Sequence, residues 1–486
     1  MSALSKLQPK AVFSYFERLC SVPHGSGNTK QISDLCIAMA EELGLEWRQD
    51  VSNNVVIWKK ASPGCENSKP IILQGHLDMV CAKEDGCTKD MTREGLDLRT
   101  DGEWVWADKT SLGGDNCIAV AMIFAILADK TLVHPPLEAV FTVDEEVGMD
   151  GAAALDCSDI KGRKLLNLDS EEEGVFTVSC AGGARANCFI PAAREGLCDE
   201  VCYQVTLDGL LGGHSGGEIN KGRGNANVLM ARVLYAASLE MDGLRLCSIC
   251  GGQFDNVICP KAEAVVAVPA ESAEKFCSLI AQYCCVLQNE YAASDARLRL
   301  TCCRAAEQPA LSCGKTEAVL TTLFSLPQGV QEMSFDFAGL VQTSLNMGTL
   351  AMKEDGVHFS YSVRSCIASQ KKDLLRRVSA IVTSGGGTVE VSGDYPGWQF
   401  RKESAFRDVI LQSYKNVTGE DGRIEATHGG LECGLFIEKI PGLDAVSMGP
   451  ELHDVHSAKE RLSVASTQRT YEVVQRRSPA ASRMPS

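Results

Sequence analysis

Three consecutive acids, Asp144, Glu145 and Glu146, close the short run Val140-Phe-Thr-Val143. The run has the apolar, β-branched character of a buried strand. Negative charge gathered at a strand end is costly to bury unless a cation or a hydrogen-bond network compensates it. In open α/β sheets, ligands sit outside the carboxyl ends of the strands. Taken alone, the triplet is equally the signature of a solvated acidic turn. Four further segments offer partners of the same chemical kind. Pro70-Ile-Ile-Leu-Gln-Gly-His-Leu-Asp78 reads as a buried strand ending in His76 and Asp78. Side chains two apart on a strand point the same way, and a metal-bound histidine needs a carboxylate to orient it. Asp115, beside two glycines, opens the apolar stretch 117–128 and suits either a helix N-cap or a ligand. Asp169 ends the strand Lys164-Leu-Leu-Asn-Leu. His453 and His456 follow the strand Asp444-Ala-Val-Ser-Met448.

These residues need a scaffold that brings strand ends together. Strands alternating with helices over the first 180 residues predict a parallel sheet whose carboxyl ends lie along one edge. From about Gly182 the pattern changes to half-exposed strands, and the rest of this middle region reads as an α+β insertion with an antiparallel sheet. Within it, Leu211-Gly-Gly-His-Ser-Gly-Gly-Glu218 is a glycine-rich loop without the Gly-Lys-Ser/Thr ending of a phosphate loop. The chain returns to the first domain near Tyr395-Pro-Gly-Trp398, and the Pro/Ser/Arg-rich segment 476–486 reads as a disordered tail.

The 486 residues exceed one ordinary core, so two domains are expected. A net charge of −16 excludes nucleic acid and anionic membrane as partners. The longest apolar run is too short to span a bilayer, and the N-terminus lacks the apolar core of a signal peptide. A cytoplasmic protein is expected. Its 22 cysteines then read as reduced thiols. Cys247-Ser-Ile-Cys250 has no second pair at zinc-ribbon distance and reads as structural.

Taken together, Gln74-Gly-His-Leu-Asp-Met-Val80, Leu112-Gly-Gly-Asp-Asn116, Asp144-Glu-Glu-Val-Gly-Met-Asp-Gly151, Asn167-Leu-Asp-Ser-Glu-Glu-Glu-Gly174, Gly212-Gly-His-Ser-Gly-Gly-Glu218 and Gly430-Leu-Glu-Cys-Gly-Leu435 resemble the cytosolic Xaa-His dipeptidases of the dinuclear-zinc peptidase superfamily. The resemblance covers residues 1 to about 475. It departs at Lys109 and at the second glycine of Leu112-Gly-Gly-Asp115, where alanine is usual. It implies an α/β zinc-peptidase catalytic domain with a mixed, mainly parallel sheet (1–183 and 397–475), interrupted by an inserted α+β lid and dimerisation domain (184–396). It also implies two Zn²⁺ ions, with Co²⁺ or Mn²⁺ as substitutes, bridged by Asp115. His76 and Asp169 would complete one ion's ligands, and Glu146 and His456 the other's. Glu145 would be the general base and Asp78 the orienting carboxylate. In the lid, His214 would stabilise the oxyanion, while Asn256 and Arg364 would hold the backbone and terminal carboxylate of a small peptide. Pairing of two copies through the lid is a further implication.

The chemistry agrees with that set. Two zinc ions roughly 3.5–4 Å apart can share and acidify one water, a bridging carboxylate holds them together, and a neighbouring glutamate can move the proton. Two rivals stand beside this reading: a di-zinc deacylase of N-acyl amino acids, and an inactive binding protein of the same fold.

Overall fold

The computed structural model describes residues 3–476; of the tail expected over 476–486, all but Arg476 lies outside the described residues. The chain divides into two compact units. Of the described residues, the first comprises 3–180, 400–426 and 431–476, and the second 181–399 together with 427–430. The second unit thus reclaims four residues from the C-terminal return, which sequence patterning does not separate from their neighbours.

The first unit is built on an eight-stranded sheet. Its strand order is Glu46–Gln49, Val55–Lys59, Leu137–Thr142, Ile71–His76, Lys164–Asn167, Asp444–Ser447, Val175–Cys180 and Arg423–Thr427. Among the assigned pairings, the parallel ones join the four central strands. The sheet is therefore mixed, with a smaller parallel part than the alternating pattern predicts. Its flank begins with an antiparallel hairpin, Glu46–Gln49 with Val55–Lys59, and Val55–Lys59 then runs antiparallel to Leu137–Thr142. The register sets Thr142 beside His76, Asn167 beside Gln74 and Ser447 beside Asn167. The carboxyl ends of all four central strands consequently finish at nearly the same level.

Against this sheet lies the helix Gly114–Ala128, of which every residue but the last is buried. Its sequence is apolar all round, the composition of a helix enclosed by core rather than lying on the surface. Phe124 stacks on both Tyr15 and Phe141 and ties the first helix, Lys10–Cys20, to the sheet. A small four-stranded sheet, in the order Leu452–His453, Arg461–Ser463, Trp104–Ala107 and Leu98–Thr100, carries the segment containing His456.

The second unit holds a nine-stranded sheet whose assigned pairings are all antiparallel. In the strand Gly356–Ser365, Val357, Phe359, Tyr361 and Val363 face the core, whereas His358, Ser360, Ser362 and Arg364 are partly exposed. This period-two alternation is that of a sheet covered on one face. The covering helices are Ala226–Glu240, Ala273–Glu290, Cys313–Ser325 and Ala368–Ser384, whose apolar residues complete the core. Among the described residues, no helix is long and apolar enough to cross a membrane.

Candidate metal centre

Each of the four parallel strands delivers at least one chemically competent residue to its carboxyl end. Ile71–His76 ends on His76 itself, Leu137–Thr142 runs on to Glu145 and Glu146, and Lys164–Asn167 runs on to Asp169. Asp444–Ser447 leads into the segment bearing His456, while Asp115 comes from the distorted first turn of the buried helix, where its ψ of 102° is not helical. Its carboxylate instead meets His76 and His456 and, among the described residues, accepts no backbone N–H of its own helix, so it does not act as an N-cap.

Asp115 faces two ways. Its Oδ1 lies 3.1 Å from His76 Nε2, which is also 3.3 Å from Asp169 Oδ1. Its Oδ2 lies 3.2 Å from His456 Nε2, which is also 3.0 Å from Glu146 Oε1. Five donors thus form two halves that share one carboxylate. Donors bound to one tetrahedral ion at ~2.0–2.1 Å stand roughly 3.3 Å apart, so these separations suit ligand atoms around a common ion. The ligand atoms of His76, Asp115 and Glu146 all fall within 4.8 Å of one another. His453 is excluded from the group, since its Nε2 pairs with Glu451 at 2.7 Å.

The electrostatics describe a site in need of positive charge. Burial opposes protonation of His76, but Asp169, Asp115 and Asp78 overcome it and hold its pKa well above the usual range. Hydrogen bonds to Asp115 and Glu146 raise His456 to about 11. Burial also opposes ionisation of Asp115, yet the two imidazoles hold it well below the ordinary carboxylate range. Glu145 is pushed up to about 9 by burial and by Asp169, Glu432 and Glu146, against the opposing influence of His76. A divalent cation among these carboxylates would displace the imidazole protons and draw Glu145 back down.

Asp78 does more than sit beside His76. The nearer acceptor for His76 Nδ1 is the Asp78 main-chain carbonyl at 3.0 Å, with the carboxylate at 3.4 Å. That carboxylate accepts the Ser26 hydroxyl at 2.8 Å and the backbone N–H groups of Glu145 at 3.0 Å and Glu146 at 3.3 Å. One buried side chain therefore fixes both the histidine strand and the acidic loop. Hydrogen bonds to a charged group contribute about 1.5–3 kcal/mol each, enough to hold the loop in one arrangement. Gly75 makes a close approach possible, since a Cβ there would come within 2.5 Å of Asn116 Oδ1. Asn116 in turn accepts the His76 amide and donates to the Leu168 carbonyl, stitching two strand ends together.

The remaining predicted residues, His214, Asn256 and Arg364, all lie in the second unit. His214 Nδ1 accepts the backbone N–H groups of Gly216 at 3.3 Å and Gly217 at 3.2 Å. In the neutral ring the proton is then on Nε2, which makes that nitrogen a donor. Burial and the Arg364 charge lower the pKa of His214 and favour this neutral form. The Asn256 carbonyl accepts the Ser215 amide at 2.8 Å, binding its loop to that of His214. Arg364 Nε is buried without a hydrogen-bond partner, and no acidic side chain pairs with the guanidinium among the described residues.

Three residues given no role in the sequence reading also belong here. His428, from the four-residue return to the second unit, bonds Ser344 Oγ through Nε2 at 2.7 Å and feels the Arg364 charge. In the first unit, Glu432 accepts from Gln74 and from Thr142, while its Oε1 is buried without a partner. Glu460 touches the loop of Asp115. Glu432 stands in a quoted motif and His428 two residues before it, but their partners are hundreds of residues away or on another strand, and no local spacing announces them.

The chain matches the model of Peptidase family M20/M25/M40 over residues 72–477 and belongs to that family, one of metallopeptidases. It is 37% identical over 468 residues to the cytosol non-specific dipeptidase of Escherichia coli K12, covering 96% of each chain. Its structure is similar to that of the aminoacylhistidine dipeptidase from Vibrio alginolyticus, with a TM-score of 0.91, 35% identity and coverage of 97% of this chain and 96% of that one. A more distant similarity, 16% identity with a TM-score of 0.57 and coverage of 98% and 100%, links its fold to the aminopeptidase PepT of Bacillus cereus.

Proposed function

We propose that this peptidase hydrolyses dipeptides, Xaa-His dipeptides foremost, at the centre around Asp115. The observation that carries the reading is the division of five donors into two halves sharing the Asp115 carboxylate. Two zinc ions, held by His76, Asp169 and Asp115 and by Asp115, Glu146 and His456, would supply a Lewis acid for the scissile carbonyl and acidify the attacking water. Glu145 takes the proton from that water and returns it to the leaving amine. Asp78 keeps Glu145 and Glu146 in register with His76 through the amide bonds described above. His214 donates its Nε2 proton to the developing oxyanion. Arg364 forks onto the substrate's terminal carboxylate, which fits its missing acidic partner, and Asn256 holds the substrate backbone.

The two similar enzymes bracket the specificity, one being called non-specific and the other named for aminoacylhistidine substrates. The test is metal analysis joined to a panel of carnosine, other dipeptides and N-acetyl amino acids. We expect about two ions per chain and hydrolysis of free dipeptides. A protein active without metal would sink the mechanism, and one that cut only N-acyl amino acids would make it the rival deacylase.

A further inference from the structure

We infer that Glu460 is a positioning residue that sets the Asp115 carboxylate for its shared task. The side chain is 2% exposed and reaches no basic residue among those described. Instead it accepts four consecutive backbone N–H groups. Its Oε2 takes those of Leu112 at 2.7 Å and Gly113 at 3.0 Å, and its Oε1 takes those of Gly114 at 2.8 Å and Asp115 at 3.3 Å. A buried carboxylate is tolerated only where such donors replace water. Here all its donors come from the one loop that delivers Asp115, so wherever the carboxylate sits, that loop must follow.

The carboxylate is itself anchored. Arg461, the next residue, pairs with Trp106, and Leu462 with Val105, in the small sheet of the first unit. His456 stands four residues earlier on a segment whose histidine side chain is 47% exposed. Glu460 thus ties the exposed ligand segment to the loop of the shared ligand. The glycines of Leu112-Gly-Gly-Asp115 make room for it. Gly113 has a φ of 64°, and a Cβ on Gly114 would come 2.7 Å from Leu452 Cδ2 and 3.2 Å from Glu460 Oε1.

Glu460→Gln keeps the shape but replaces one acceptor oxygen with an N–H donor aimed at other donors. Partners of metal ligands, when removed, typically cost about 10–100-fold in metal affinity. The inference rests on the metal reading, so the measurement is a Zn²⁺ titration of wild type and variant against a competing chelator, alongside the thermal midpoint of each metal-free protein. We expect Glu460→Gln to bind Zn²⁺ about 10–100-fold more weakly, with dipeptide turnover recovering in excess Zn²⁺. A carboxylate with only a structural task would lower the metal-free midpoint and leave Zn²⁺ affinity as it was; that result overturns the inference. Should Glu460→Gln fail to fold, Glu460→Asp, which keeps the charge but withdraws it by one methylene, is read by the same criterion. A wild type that holds no Zn²⁺ would overturn the metal reading itself.

Discussion

Two pairs of histidines, His76 with His456 in the first unit and His214 with His428 in the second, have their proton affinities shifted in opposite directions. In the first unit His76 and His456 stand among carboxylates, and their proton affinities are driven up. In the second, burial first and then the Arg364 charge drive those of His214 and His428 down. The same side chain is thereby prepared for two kinds of work. An imidazole crowded by acids gives up its proton most readily to a cation that takes the proton's place, which is the behaviour of a ligand. An imidazole beside a guanidinium stays neutral and keeps one N–H to donate. On the proposed roles, the first pair suits the binding of metal and the second the handling of substrate.

The strongest way to break the comparison is to remove the cation. Dialysis against a chelator should abolish dipeptide hydrolysis, and added Zn²⁺ should restore it. Activity that persists through chelation would mean that the carboxylate-rich unit is balanced by protons alone. Next in size is the proton carrier. Glu145→Ala should cut turnover by roughly 10²–10⁴-fold with metal content retained, whereas Glu146→Ala should lose metal. The reverse pattern, read by metal analysis of both variants, would exchange the two roles. On the other side of the comparison, His214→Ala should retain both ions and lower turnover by roughly 10²–10³-fold, with a much smaller change in KM. Turnover within a few-fold of wild type would leave the neutral histidine a shaping role only.

How much of this was legible in the sequence follows the same division. His76, Glu146 and Asp169 could be read because each sits at or just beyond a strand end, and strand ends in a parallel sheet converge by topology alone, whereas Asp115 opens the buried helix and His456 lies in a loop of the small sheet. Resemblance chose His456 over His453, and the geometry adds a reason in the pairing of His453 with Glu451. Glu460 gave no local signal, since its four partners lie some 345 residues away in the chain. The extent of parallel pairing was overestimated because a strand's direction depends on its connections, and the Val55–Lys59 strand enters from a hairpin rather than a helical crossover. His428 escaped assignment for a related reason. Four residues of the C-terminal return fold with the second unit, and nothing in their composition marks the change.

His428 also provides the smallest and most selective test of the contrast. Burial first, and then the Arg364 charge, lower its pKa to about 4, whereas an unfolded histidine titrates near 6.5. Between these values the unfolded chain takes up a proton that the folded unit refuses. Stability from this group is therefore complete above about pH 6.5 and is lost as the pH falls toward 4. The loss between pH 7 and pH 5 comes to about 2 kcal/mol. Other groups titrate over the same range, so the informative quantity is the difference between wild type and His428→Gln in urea unfolding. A glutamine side chain takes up no proton over this range, and the advantage of wild type over the variant should shrink by about that amount on acidification. In an Arg364→Met background, which removes the charge but leaves the burial, it should shrink less. A gap that stayed constant from pH 7 to pH 5 would mean that His428 is protonated as readily in the folded unit as in the open chain. The cationic field that distinguishes the second unit from the first would then not extend to it.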